Sequence, residues 1–152
     1  MAESFHAAKS LTLRLLGVVY FFAFLGAYYQ NTALIGKDGL SPSQFHTLKA
    51  ATPLDGFKAH PAIWWWIPLT DASMDAVAII GAALGFMVAL GFHSWILLLV
   101  LWLLDFSIVT AAESSSFYQY GWESQLLETG FLCIFLCDGP LPLKTALPFG
   151  RH

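Results

Sequence analysis

Four apolar stretches, each long enough or nearly long enough to cross a lipid bilayer, occupy most of the sequence. A transmembrane helix needs about 20 predominantly apolar residues, because each residue adds about 1.5 Å across a hydrocarbon core of about 30 Å. Only 11% of the residues are charged and the mean hydropathy is +0.65, whereas an ordinary soluble domain has about 25% charged residues. The sequence therefore predicts an all-α integral membrane protein, with spans at about 9–30, 73–92, 95–112 and 120–137.

The connections between these stretches predict one four-transmembrane-helix bundle and no separate soluble domain. His93 and Ser94 alone join the second and third spans, so these two spans are expected to be antiparallel neighbours. Four crossings place both termini, including the short tail 138–152, on one side of the membrane. That side has four Lys and Arg residues against three on the other, which slightly favours termini inside.

The first loop, residues 31–72, is predicted to contain short helices that lie at the membrane interface. Ser41 followed by Pro42 is typical of a helix start and predicts a helix to about residue 50, which Pro53 ends. A second short piece covers residues 62–67. Tryptophan rings suit the lipid–water boundary, where each ring finds apolar contact and a partner for its N–H group. The predicted interfacial tryptophans are Trp64, Trp65, Trp66 and, at the start of the fourth span, Trp122.

Small residues recur on one face of the second span. Gly81 and Gly85 form a small-xxx-small pair, and Ala78, Ala82 and Ala89 extend the surface. Such a face lets the backbone of another helix approach closely. The alternative is that these are ordinary small residues in a lipid-facing helix.

Carboxylates and an amide interrupt the last two apolar stretches. Asp105 lies about 15 Å into the third span, near the midplane. Gln125, Glu128 and Thr129 share one face of the fourth span, whereas Glu123 is five positions, or about 140°, from Glu128. We therefore expect no Glu123–Glu128 pair, and we expect Glu128 to be the deeper residue and Glu123 to be solvated near the interface.

Charged groups at membrane depth need partners, so these residues are candidate functional sites. Arg14 is the one cation placed to reach into the bundle, and an Arg14–Glu128 or Arg14–Asp105 pair is the favoured hypothesis. In this interpretation the polar groups are structural and give the packing its specificity. The alternative is a proton or ion relay that uses Asp105 and Glu128.

Other classes of function have little support in the sequence. The net charge of -3 argues against nucleic-acid binding. Cys133 and Cys137 share a helix face and are expected to be reduced thiols, too few for a metal site. His46 and His60 lack ligand spacing to another donor, so neither an enzyme site nor a cofactor is predicted, although a bound lipid is compatible with the sequence.

Four segments in order give the chain a family resemblance. They are RLLGVVYFFAF at 14–24, LIGKDGLSP at 34–42, the tryptophans 64–66 followed by Asp71, and WESQLLETGFL at 122–132. With these segments the chain resembles the N-terminal membrane region of the lipase maturation factor family. The resemblance implies a multi-pass protein of the endoplasmic reticulum that assists folding and assembly of secreted dimeric lipases. It transfers no catalytic residue.

The family continues into further membrane segments and a large lumenal domain, whereas this sequence ends at His152. The leading hypothesis is therefore a non-enzymatic accessory subunit that acts by helix packing within a larger membrane complex. Its expected partners are membrane lipids and other membrane subunits. The alternative is an endoplasmic-reticulum factor that assists lipase maturation. The expected location is the endoplasmic reticulum by resemblance, with a mitochondrial or plastid inner membrane as the alternative.

Overall fold

The computed structural model describes residues 2–45, 49–112, 121–137, 139 and 143–144. Within these ranges the chain forms five α-helices, a short 3₁₀ turn and one pair of two-residue strands. In chain order they are α1 (Ala2–Ile35), α2 (Pro53–Ala59), the 3₁₀ turn (Ile63–Trp65), α3 (Asp71–Ala89), β1 (Phe92–His93), α4 (Trp95–Ala111), α5 (Gly121–Ile134) and β2 (Leu143–Lys144).

The helices have very different lengths. In the described ranges, Phe5–Ile35 of α1 and Asp71–Ala89 are long and apolar enough to cross a membrane by length and composition, and Trp95–Ala111 is a shorter apolar helix. With 34 residues, α1 is about 51 Å long and exceeds the predicted span 9–30 at both ends. The prediction of a helical protein is confirmed, two of the predicted spans are long and apolar enough to cross a membrane, and the number of four crossings stays a prediction.

Glycines bring α1 and α3 together as a closely packed antiparallel pair. A Cβ placed on Gly17 would meet the backbone of Ala89 and would lie 2.9 Å from the carbonyl oxygen of Gly85. A Cβ on Gly85 would lie 2.8 Å from the backbone nitrogen of Phe21. One turn earlier in α3, the ring of Phe24 fills the space beside Gly81. The small-residue face of α3 therefore contacts α1.

Hydrogen bonds fix the opposite end of this pair. Thr32 donates its hydroxyl hydrogen to Asp75 over 3.2 Å. The backbone N–H of Lys37 donates to a carboxylate oxygen of Asp71 over 3.0 Å. Thr70 caps α3, because its hydroxyl oxygen accepts the N–H of Ser73 over 3.1 Å. The C-terminal end of α1 is thus held at the N-terminal end of α3.

A tight turn leads from α3 into α4 and also holds part of the tail. Ser94 caps α4 by accepting the N–H of Leu97 over 3.0 Å. β1 pairs antiparallel with β2, with Phe92 opposite Lys144. The N–H of Trp95 donates to the carbonyl oxygen of Gly139 over 3.2 Å. The sequence did not predict β2, because a two-residue strand leaves no periodic pattern.

α5 packs along α4 in the antiparallel direction. The indole N–H of Trp102 donates to the carbonyl oxygen of Leu127 over 3.0 Å, and the rings of Trp102 and Phe131 have centroids 5.6 Å apart. Further along α4, Asp105 lies within electrostatic reach of Glu123, which is earlier in α5. Positions further along α4 therefore face positions earlier in α5, so the two helices run antiparallel.

The first loop differs from its prediction. Residues 41–44 are not helical, residues 46–48 lie outside the described ranges, and the α-helix in this loop begins at Pro53, where we expected one to end. Proline is tolerated there because the first helical N–H groups have no partner within the helix. Thr52 supplies the cap by accepting the N–H of Asp55 over 3.2 Å. Ser43 instead turns inward and donates to the carbonyl oxygen of Ala111.

The three adjacent tryptophans have different environments. Trp64 is 5% exposed, and its indole N–H donates to the carbonyl oxygen of Ser107 in α4 over 2.6 Å. Trp65 is half-buried and donates to the carbonyl oxygen of His60 over 2.9 Å, whereas Trp66 is 56% exposed. Trp64 therefore packs inside the protein and not at a lipid interface, because the 3₁₀ turn directs it against α4. Trp122, at the start of α5, is exposed, and its position at a membrane interface stays a prediction.

The difference in burial between Trp64 and Trp66 leads to a first prediction. Trp64→Phe removes the indole N–H and leaves space in the core, so we expect a loss of about 1–3 kcal/mol of unfolding free energy. Trp66→Phe is the matched control and is expected to change stability by no more than about 0.5 kcal/mol. Thermal unfolding in detergent, with limited proteolysis of the first loop, measures both. Equal effects of the two substitutions would show that Trp64 does not hold the loop.

Candidate functional site

A buried polar cluster connects three helices inside the bundle. Tyr20 of α1, Asp105 of α4 and Glu123 of α5 are 0%, 9% and 6% exposed. Asp105 interacts electrostatically with both of the others. The Tyr20 hydroxyl and one carboxylate oxygen each of Asp105 and Glu123 are buried without a hydrogen-bond partner. Buried polar atoms are normally paired, so three together on facing helices mark this place as the candidate site.

The apolar stripe of α1 directs Tyr20 into this cluster. Leu13, Leu16, Tyr20, Phe24 and Ala27 follow one another at intervals of three or four residues and are all buried. The stripe therefore faces the other helices along its whole length. A tyrosine within it is carried to the core with its hydroxyl group.

Tyr20 reaches across the bundle to α5. Its hydroxyl oxygen occupies the space beside Gly130, and a Cβ on that glycine would overlap it. Cys133, one turn further along α5, is also buried and lies within electrostatic reach of Tyr20. The sequence analysis missed Tyr20 and Gly130. The signal that could have found them is a tyrosine in an otherwise apolar stripe together with a glycine inside a helix.

The two glutamates of α5 are buried in the opposite order from the expectation, although Glu128 is the one nearer the centre of the helix. Glu123 is buried, whereas Glu128 is exposed. The buried residues of α5 follow the order Glu123, Leu126, Gly130 and Cys133, a helical stripe to which Glu128 does not belong. Distance from the end of the span therefore does not predict which glutamate is buried. The helical stripe of buried residues does. The predicted separation of about 140° is the reason that only one glutamate faces inward.

Arg14 lies at the end of α3 and not among the carboxylates. Its guanidinium donates to the carbonyl oxygen of Leu90 over 3.3 Å and packs against Gly91, which has a φ of 100°. A cation there complements the partial negative charge at a helix C-terminus. Burial, and next the charge of Arg14, lower the pKa of His93 in the adjoining turn. Neither predicted pair, Arg14–Glu128 or Arg14–Asp105, is among these contacts.

Asp105 interacts electrostatically with Glu123. Glu128 and Gln125 both lie on the exposed face of α5. The relay hypothesis uses Asp105 and Glu128, of which the structure places Asp105 in the core and Glu128 on the outside of α5, and the relay itself stays an untested hypothesis. Two like charges in a buried site repel each other and lose their hydration, which makes the Asp105–Glu123 arrangement costly while both are ionised. We therefore expect this repulsion to strain the contact between α4 and α5.

Removal of one of these charges is expected to relieve that strain. Asp105→Asn keeps the shape of the side chain but removes the repulsion, and we expect a gain of about 1–2 kcal/mol in unfolding free energy. Glu128→Gln is the control on the exposed face and is expected to change stability by less than about 0.5 kcal/mol. Thermal unfolding in detergent measures both. A clear loss of stability in Asp105→Asn would contradict the repulsion.

Within the described ranges, no group of three or more His, Cys, Asp or Glu side chains is arranged to hold a metal ion. Cys133 and Cys137 are not joined in a disulfide. A separate cleft of about 460 Å³ lies where the first loop meets the start of α3, with Lys37, Ser43 and Asp71 among its lining residues. The buried polar cluster and this cleft therefore lie in different parts of the fold.

Comparison with known proteins decides the family. The family model of the lipase maturation factor transmembrane domain matches residues 7–148, which include most of α1 and all of α2 to α5. The chain belongs to the lipase maturation factor family. This result confirms the resemblance read from the four sequence segments. It describes a membrane protein and gives no support to the mitochondrial or plastid alternative.

Individual family members match at moderate identity. Lipase maturation factor 1 of Bos taurus is 39% identical over 158 aligned positions, which cover 98% of this chain and 28% of the relative. Lipase maturation factor 1 of Mus musculus is 36% identical, covering 95% of this chain and 26% of the relative. Lipase maturation factor 2 of Xenopus laevis is 29% identical, covering 85% and 19%. The chain thus spans about a quarter of the length of the first two relatives. No solved structure matches it.

Proposed function

We propose that this chain is the membrane-embedded, non-catalytic part of an endoplasmic-reticulum factor that assists the maturation of lipases. The match to the family's transmembrane domain over residues 7–148 carries this proposal. The relatives that support it are named lipase maturation factors, and the alignments cover nearly all of the chain. The chain corresponds to only about a quarter of the length of those relatives. A role of this chain in lipase maturation is therefore a proposal.

The proposed membrane arrangement has four crossings, by α1, α3, α4 and α5. The antiparallel α1–α3 and α4–α5 pairs support it, since they alternate in direction. With 17 and 14 residues, α4 and α5 are about 26 Å and 21 Å long. Both are shorter than an average hydrocarbon core, and local thinning of the bilayer accommodates such a mismatch at modest cost. The polar cluster then lies inside the membrane.

In this proposal the bundle acts through the packing of its helices and catalyses no reaction. The close α1–α3 contact gives a rigid pair, and the Asp105–Glu123 cluster makes the position of α5 sensitive to charge. Interactions between polar groups inside membranes contribute about 0.6–2 kcal/mol each, which suits a role in packing specificity.

The test is the secretion of active lipase. Inactivation of the gene in its source cell is expected to lower secreted lipase activity while lipase protein accumulates inside the cell in inactive form. Re-expression of the intact gene is expected to restore secretion, and an unrelated secreted protein serves as control. Unchanged lipase activity after inactivation would contradict the lipase role.

A second candidate is an accessory subunit of a larger membrane complex. The observation that favours it is the exposure of Gln125 and Glu128 on a helix placed within the bundle. Gentle detergent extraction followed by native mass measurement tests this candidate. A chain that migrates alone at its own mass would contradict it.

A further inference from the structure

Glu128 lies at the middle depth of the helical bundle. The residue before it, Leu127, accepts the indole N–H of Trp102, which is near the centre of α4. Two residues after it, Gly130 contacts the hydroxyl of Tyr20, near the centre of α1. Contacts to the centres of two other helices therefore bracket Glu128 on both sides.

The Glu128 side chain nevertheless faces outward. Gln125, Glu128 and Thr129 are all exposed and follow one another at helical spacing, so they form one polar stripe on α5. Glu128 makes no hydrogen bond or ion pair with any part of the chain that the structure describes. The stripe continues into exposed Leu132 and Phe135. A carboxylate that faces lipid at this depth is costly unless protein or water covers it.

We propose that Gln125, Glu128 and Thr129 form the docking surface for a helix of a separate membrane protein that presents a lysine or arginine at mid-depth. A cation there neutralises Glu128 where the surrounding lipid provides no hydration. Gln125 and Thr129 add hydrogen-bonding groups one turn away on the same face. Leu132 and Phe135 supply the apolar contact beside them.

Charge complementarity favours a separate protein over a second copy of this chain. The seven Lys and Arg residues are Lys9, Arg14, Lys37, Lys49, Lys58, Lys144 and Arg151. Lys9 and Arg14 precede the centre of α1 and the others lie in the first loop or the tail. Within residues 1–152, a second copy therefore presents no cation at the centre of a helix, where Glu128 lies. The proposal rests on the proposed four-crossing arrangement but not on the lipase role, and it gives the accessory-subunit candidate a defined surface.

Synthetic membrane helices test this surface directly. The labelled full chain is reconstituted into phosphatidylcholine vesicles with poly-leucine helices that have a central lysine, a lysine one turn from the end, or no lysine. Association is measured by energy transfer. We expect the central-lysine helix to associate about 3- to 20-fold more strongly than the other two. We also expect Glu128→Leu to abolish this preference without changing the helical content of the chain.

Charge reversal provides the second arm of the test. Glu128→Lys is expected to reject the central-lysine helix and to prefer a helix with a central glutamate. Asp38→Asn, at an exposed carboxylate in the first loop, is the control that keeps the lysine preference. Equal association of the three helices with the native chain would overturn the proposal. Self-association of the native chain that is lost in Glu128→Leu would overturn it in favour of a second copy. If the helices show no preference but lipase secretion still depends on the gene, the docking proposal is wrong and the proposed lipase role is retained.

Discussion

Gly17→Ala is expected to destabilise the protein by about 2–3 kcal/mol, although alanine is the better helix former by about 1 kcal/mol. The added Cβ meets the backbone of Val88 and Ala89, and it lies 2.9 Å from the carbonyl oxygen of Gly85. Backbone atoms in a helix cannot rotate away as side chains do, so α1 and α3 have to separate. The lost close contact along the pair is the cause of the expected effect.

Gly26→Ala is the matched control in the same helix. A Cβ on Gly26 meets nothing within 4 Å, so this substitution is expected to raise stability by about 0.5–1 kcal/mol through helix propensity. Thermal unfolding of both variants in one detergent measures the difference. If the two substitutions change stability by the same amount, Gly17 does not lie in a close contact between α1 and α3.

Gly130→Ala is expected to show strong coupling to Tyr20. The new Cβ overlaps the Tyr20 hydroxyl oxygen, and Tyr20 is completely buried and has little room to move. We expect a loss of about 2 kcal/mol of unfolding free energy. Tyr20→Phe removes the overlapping atom, and the next atom of the ring is 3.0 Å from the Cβ position. The same glycine substitution is therefore expected to cost much less in the Tyr20→Phe background.

A double-mutant cycle turns this expectation into a number. The coupling free energy between positions 20 and 130 is expected to be about 1–2 kcal/mol. Tyr20→Phe alone is expected to be neutral or slightly stabilising, because the hydroxyl is buried without a partner. Gly121→Ala is the control within α5, since nothing lies within 4 Å of its Cβ position. Additive effects of Tyr20→Phe and Gly130→Ala would show that the two residues do not touch.

The predictions from sequence succeeded where hydrophobic pattern and local signals decide the structure. Helix type and the short turn at His93 follow from the residues around them. The location of Trp64 was not predictable in this way, because its hydrogen bond to Ser107 joins segments 43 residues apart. The helix start at Pro53 was missed, because proline ends one helix as readily as it begins another.

The candidate site was predicted by residue type and not by arrangement. Asp105 and Glu123 were recognised because carboxylates are rare within apolar helices. Their pairing depends on which face of α5 turns inward, and the stripe of Leu126, Gly130 and Cys133 fixes that face. Arg14 was assigned to the carboxylates because of its charge, whereas its position in the first half of α1 places it beside Leu90 at the C-terminal end of α3. Depth and rotation of neighbouring helices together decide such contacts.

Labelling of single cysteines in sealed membranes tests the central claim most directly, namely that these helices form one membrane bundle of alternating direction. In a variant with Cys133→Ala and Cys137→Ala, cysteine is placed at His6, Lys58 or Leu90, all of which are exposed. A membrane-impermeant maleimide is expected to label the His6 and Leu90 positions from one side and the Lys58 position from the other. A tag at the C-terminus is expected on the His6 side. Labelling of His6 and Lys58 positions from the same side would contradict the bundle.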